Sequence, residues 1–150
     1  MPALHGTVYV SDKINNTNRL DALAKEAETV IFEAKSAFPF DLTPNKITIC
    51  ANRVTITAKK ILSSEEYPLP IANITNARIT ESPLFATLII ETFGVQAPPP
   101  LRYLKKDEAH KARRYLLALI QCKKDSVDLS AFLLNELREK LLKVGKVQKG

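Results

Sequence analysis

Few residues in this chain are of the kinds that perform chemistry, and their spacing groups none of them. Two histidines, His5 and His110, lie far apart in sequence. Neither has a Ser, Cys or Asp at the spacing of a triad or a proton relay. Cys50 and Cys122 form no CxxC pair and no Cys/His arrangement of the sort that holds zinc; they read as reduced packing residues. The carboxylate pairs Glu65–Glu66 and Asp107–Glu108 could meet as acid and base across space, but loop solvation and helix capping account for them more simply. No GxGxxG, GxxxxGK(S/T) or HExxH motif is present. The four glycines are scattered, which argues against a phosphate-cradling loop. The expectation is a non-enzymatic protein with no cofactor and no metal.

Charge is a stronger signal. The formal net charge is +6. Residues 1–99 hold nine Lys/Arg against ten Asp/Glu, a net of −1, whereas residues 100–150 hold thirteen against six, a net of +7. Lys111, Arg113, Arg114, Lys123 and Lys124 form a basic helical face, the candidate site for an anionic lipid surface, nucleic acid or an acidic protein. Nucleic acid is the weaker reading, because there is no Trp and the nearest stacking aromatics are Tyr103 and Tyr115. Interspersed carboxylates also fit a simple solvated surface.

The elements that must carry these residues follow from periodicity. The stretch KITICANRVTITAKK, Lys46 to Lys60, alternates apolar and polar residues on both sides of Ala51-Asn52-Arg53. It predicts a hairpin with Ile47, Ile49 and Ala51 on one face of the first arm and Val54, Ile56 and Ala58 on one face of the second. Asn52 suits the turn through its tolerance of left-handed backbone angles. Before it, residues 1–17 read as a loose leader with a β-prone piece at Thr7–Val10. A short helix capped by Asn18 carries Leu20, Leu23, Ala24 and Ala27. Residues 29–37 read as a strand, with a helix as the competing reading.

After the hairpin come a polar loop at 63–66, an edge strand at 67–71 interrupted by Pro68 and Pro70, and strands at 76–81, 85–93 and 101–104. A helix spans Lys105–Lys124 with Ala109, Ala112, Leu116, Leu119 and Ile120 as its apolar stripe. A second runs from about Leu129 to Val144, with Leu133, Leu137 and Leu141 at helical spacing, ended by Gly145 and followed by a Lys-rich tail. The division is 1–28, leader and short helix; 29–124, main domain; 125–150, amphipathic helix and basic tail.

This order, about seven short strands followed by a helix, resembles the bacterial pleckstrin-homology-like (PH-like) domain proteins. The similarity lies in the strand pair crossing a short polar turn, in Pro70-Ile71-Ala72-Asn73-Ile74 before a strand, and in a last strand running directly into a basic helix. It covers roughly residues 29–124. It implies a mainly β fold with α: a partly open barrel of two antiparallel sheets closed by a C-terminal helix, with a short N-terminal and an extra C-terminal helix added. It also implies a cytosolic bacterial protein.

Many PH domains bind inositol phosphates through basic residues at the first strand-to-strand loop. Here that loop, Phe38 to Asn45, contains no Lys or Arg, so specific phosphoinositide binding is not expected. Its Phe38, Phe40 and Leu42 are candidate partner-binding residues. Their adjacent prolines favour a packed corner in which they fold back over the barrel mouth. Leu133, Leu137 and Leu141 are the other candidates, since their stripe must pack on the barrel, on a second copy or on a membrane.

The function expected first is an interaction module that binds a protein or peptide, as a strand added between a sheet edge and the C-terminal helix, or that self-associates. The alternative is a peripheral adaptor held on anionic membrane by general electrostatics. The expected location is the cytoplasm, or the inner face of the membrane for the adaptor. No apolar run approaches the roughly 18 to 20 residues that cross a bilayer. The N-terminus lacks the pattern of a signal peptide, so the two Asn-x-Thr sequons read as chance.

Overall fold

The computed structural model describes the backbone of residues 2–147 and the side chains of residues 12–26 and 29–146. His5, Ala27 and the tail beyond residue 147 therefore lie outside the described side chains. The elements run α1 (Pro2–Glu28), β1 (Val30–Lys35), β2 (Lys46–Cys50), β3 (Arg53–Lys59), β4 (Ser64–Pro70), a 3₁₀ turn (Ile71–Asn73), β5 (Ile74–Glu81), β6 (Ala86–Thr92), β7 (Leu101–Leu104), α2 (Lys106–Lys124) and α3 (Leu134–Val147).

Two antiparallel sheets result, β1-β2-β3-β4 and β5-β6-β7, with no ladder closing them into a continuous barrel. The hairpin has the expected register, Ile47 opposite Ile56 and Ile49 opposite Val54, and all four side chains are fully buried. Where the chain leaves β4, Pro70 ends the strand and the 3₁₀ turn swings it into the second sheet. At the other junction the Ala37 N–H donates to the Tyr103 carbonyl at 2.8 Å, joining the end of β1 to β7.

One hydrophobic core lies between the sheets. Ile47, Val54 and Leu88 belong to the same cluster, together with Ala109, Ala112, Leu116 and Leu119 of α2. The alternating strand faces and the helix stripe thus bury against one another, as the period-two and 3.6-residue patterns require.

Several expectations are corrected. The leader and short helix are one helix, Pro2–Glu28. The β-branched run at 7–10 is overruled because its preference for strand is worth well under about 1 kcal/mol per residue and neither sheet offers it a partner. Leu20, Leu23 and Ala24 are exposed, so their spacing marks no buried stripe. The strand reading of residues 29–37, by contrast, is met by β1, Val30–Lys35, and the competing helix is not formed. Ser64–Glu66 belong to β4, where they pair with Thr57–Lys59.

Asn52 does not take a left-handed conformation; among the described residues the non-glycine ones that do are Tyr103 and Ser126. Instead its carbonyl accepts the Ile71 N–H at 3.2 Å and its side-chain amide donates to the Leu23 carbonyl at 3.5 Å, tying α1 to the hairpin turn.

The second helix starts at Leu134, later than expected. Asp128 accepts hydrogen bonds from both the N–H and the hydroxyl of Ser130, 2.9 and 2.7 Å, which holds the connection in a non-helical turn. Gly145 does not end α3. It lies inside the helix, where a Cβ would come within 2.3 Å of the Arg114 carbonyl oxygen. The glycine lets α3 close onto the backbone of α2. Leu137 and Leu141 are consequently buried in this chain's own core. As partner-binding residues they are corrected: that part of the stripe is already covered, and only Leu133 of the three is exposed.

Candidate interaction site

The remaining apolar candidates have the opposite fate. The β1–β2 loop is pinned from within, since the Ser36 hydroxyl donates to Asp41 at 2.6 Å and accepts the Asn45 N–H at 2.7 Å. Asp41 in turn accepts the Thr43 N–H at 3.1 Å. These bonds use the loop's polar groups inward and leave its oily ones outside. Phe38, Phe40 and Leu42 do not fold back over the core; all three are exposed.

The β3–β4 loop lies alongside. The Lys59 N–H donates to the Asn45 side chain at 3.0 Å, and Leu42, Pro44, Lys59, Lys60 and Ile61 line a shared hollow of about 660 Å³. The β5–β6 loop joins from the other side, where the Phe85 ring packs 4.9 Å from Phe40 and edge-on to Tyr103 at 5.9 Å. Tyr103 holds φ near 58°, an uncommon backbone state for a residue with a side chain; its carbonyl accepts the Ala37 N–H, and its ring packs on Phe85, which in turn meets Phe40. Three loops thus present Phe38, Phe40, Leu42, Ile61, Leu62 and Leu84, each between 59% and 98% exposed. Sequence reasoning found the first three. Ile61-Leu62 between two polar stretches was the missed signal.

Cations flank this surface. Lys35 and Lys105 line a second hollow beside Phe38, and Lys59 and Lys60 the first. Lys60 is bridged to Glu65 at 2.7 Å, and Glu65 also accepts the Tyr67 hydroxyl at 2.7 Å. The Lys60 ammonium and the Tyr67 hydroxyl together hold the Glu65 carboxyl below its ordinary range. Glu65 is therefore a structural anion rather than a proton donor.

The basic residues of α2 do not converge. Lys111, Lys123 and Lys124 are exposed, whereas Arg113 and Arg114 are half-buried. The Arg113 guanidinium donates to the Ala77 carbonyl at 3.0 Å, and the Asn76 side chain accepts the Ala77 N–H at 2.9 Å. Both backbone groups of Ala77 on edge strand β5 are thereby occupied. Those are two of the backbone groups with which a peptide strand added in the groove between that edge and α2 would pair. His110 pairs with Glu81 at the rim of the same groove.

Both cysteines are free and buried, and burial raises both thiols above their usual range, so neither is an activated nucleophile. Among the described residues no group of His, Cys, Asp and Glu is placed to hold a metal, and no helix is long and apolar enough to cross a membrane. A comparison with models of known protein families finds no match, and a comparison with curated proteins finds none either.

Proposed function

We propose that the chain is a non-enzymatic PH-like interaction module that docks on anionic membrane surfaces through its three-loop end. The PH-like part is supported by the four-plus-three arrangement of antiparallel strands, with α2 packed into the core after the last of them. The docking part rests on one observation: six large apolar side chains stand exposed on three adjoining loops. They project from loop tips rather than lining a groove, and lysines border them, which is the chemistry of the interface between headgroups and acyl chains. Attraction by scattered lysines is general, so headgroup charge matters and headgroup identity does not.

The test is co-sedimentation with phosphatidylglycerol–phosphatidylcholine vesicles. Binding at low salt that weakens at high salt is expected, with little binding to phosphatidylcholine alone. Leu42→Ser combined with Ile61→Ser should lower the bound fraction by roughly tenfold or more without lowering the melting temperature. Absence of binding at low salt would sink the proposal.

A further inference from the structure

β1 is an edge strand of its sheet, with β2 on one side only. Its ladder with β2 fixes which backbone groups point away from the sheet. The Ser36 N–H donates to the Asn45 carbonyl, so Ser36 faces β2, as do Ala34 and Phe32 by alternation. Glu33 and Lys35 therefore turn their N–H and C=O outward, and the Ile31 carbonyl and the Ala37 N–H lie on the same side.

The two ends of this outward row are occupied. The Ile31 carbonyl accepts Arg138 of α3 at 2.9 Å, and the Ala37 N–H donates to Tyr103. Between those stoppers, the N–H and C=O of Glu33 and of Lys35 meet no partner among the described residues. A hollow of about 450 Å³, with Lys105 and Glu108 on its far side, keeps this stretch open.

We infer that this edge pairs with the same edge of a second copy, antiparallel about a two-fold axis at Ala34. Three registers set Glu33 or Lys35 opposite Glu33 or Lys35 of the second copy. Centring on Glu33 opposes two glutamates and needs the Ile31 carbonyl that Arg138 holds. Centring on Lys35 opposes two lysines and needs the Ala37 N–H that Tyr103 holds. Centring on Ala34 uses the four free groups of each copy and sets Glu33 against Lys35 twice.

The side chains suit that register. Lys35 lies directly across from Lys46 within its own sheet, a like-charge neighbour that an acidic partner would offset. Glu33 meets Lys46 and Thr48 through Oε1 alone, leaving Oε2 for the second copy. With four backbone hydrogen bonds and two ion pairs, the pairing is a reversible dimerisation. It leaves Leu42 and Ile61 of the membrane surface free and shares Lys35 with that surface's basic border.

Sedimentation equilibrium of the full chain over a concentration series tests it. The wild type should show a monomer–dimer equilibrium. Glu33→Lys or Lys35→Glu alone should weaken the dimer roughly tenfold or more, since each sets like charges opposite twice. The double variant Glu33→Lys/Lys35→Glu should recover it. Mixing the two single variants should give a one-to-one heterodimer, because every facing pair is then opposite in sign. Circular dichroism melting checks that each variant folds. A wild type that stays monomeric at the highest concentration reached would overturn the inference. So would a dimer indifferent to both single changes, or singles that fail to associate when mixed.

Discussion

Leu137 and Leu141 on α3 are 4% and 1% exposed, while Phe38 and Leu42 on the β1–β2 loop are 72% and 78% exposed. Both sets are oily, both flank the same core, and each has a structured neighbour within reach. What separates them is periodicity and backbone approach. On α3 the leucines repeat every four residues, so they share one face, and Gly145 lets that face reach the backbone of α2. In the loop the apolar residues alternate with prolines and with groups that hydrogen bond inward, so no single face can turn to the core. An apolar residue is buried where a regular element can aim it and a partner can approach; elsewhere it becomes surface.

The sharpest way to test this contrast is to shorten one side chain of each kind. Leu141→Ala should cost about 2–5 kcal/mol, read as a loss of melting temperature, because a cavity opens between the helices. Leu42→Ser should stay within about 0.5 kcal/mol of the wild type, since nothing buried is lost. If the two changes cost the same, the loop is packed in solution and the docking surface does not exist.

Gly145→Ala isolates the backbone-approach half of the argument. In an ordinary exposed helix that change stabilises, by about 1 kcal/mol. Here the added methyl meets the Arg114 carbonyl, so the sign should reverse and about 1–3 kcal/mol be lost as α3 is pushed away. A stabilised variant would mean that α3 does not lie against α2.

Much of the scaffold was readable in the sequence because it rests on period. The alternation through Ile47, Ile49, Val54 and Ile56 placed four core residues, and the stripe from Ala109 to Ile120 placed the helix packed against them. The candidate site was only half readable. Nothing local to Phe38, Phe40 and Leu42 states whether a loop folds inward; that depends on where Ser36, Asp41 and Asn45 spend their hydrogen bonds. Ile61-Leu62 escaped notice because two apolar residues between polar stretches have no period. The role of Gly145 is unreadable for the same reason: a helix terminator and a close-approach glycine look alike until the neighbouring helix is in place. The free groups at Glu33 and Lys35 needed the ladder phase and the positions of Arg138 and Tyr103, both fixed by residues distant in sequence.

The smallest expected effect contrasts two carboxylates with opposite responses to acid. Glu33 is held below its ordinary range chiefly by its hydrogen bond to Lys46. Its folded-state pKa lies under the unfolded value of about 4.5, so its stabilisation is complete above that value and is lost as pH falls through the folded pKa. Glu26 is raised, first by burial and then by the negative charge of Asp128. It lines a small hollow with Asn52, Leu119 and Leu129, where α1 meets the rest of the fold. Its favourable contribution to that contact is complete below 4.5 and disappears as pH rises through the folded pKa. Acidification from neutral should therefore firm the seat of α1 while loosening the β1–β2 face. Amide hydrogen exchange, corrected for the intrinsic pH dependence of exchange, should show protection rising around Leu23 and falling around Thr48. Glu26→Gln should hold the first response near its acidic level at neutral pH and leave the second unchanged. Both changes are small because both groups are partly solvated. If the two regions moved together, Glu26 would have no part in seating α1, and the helix would be held by Asn52 and by the Lys25 ammonium, which donates to the Ser130 carbonyl at 2.9 Å.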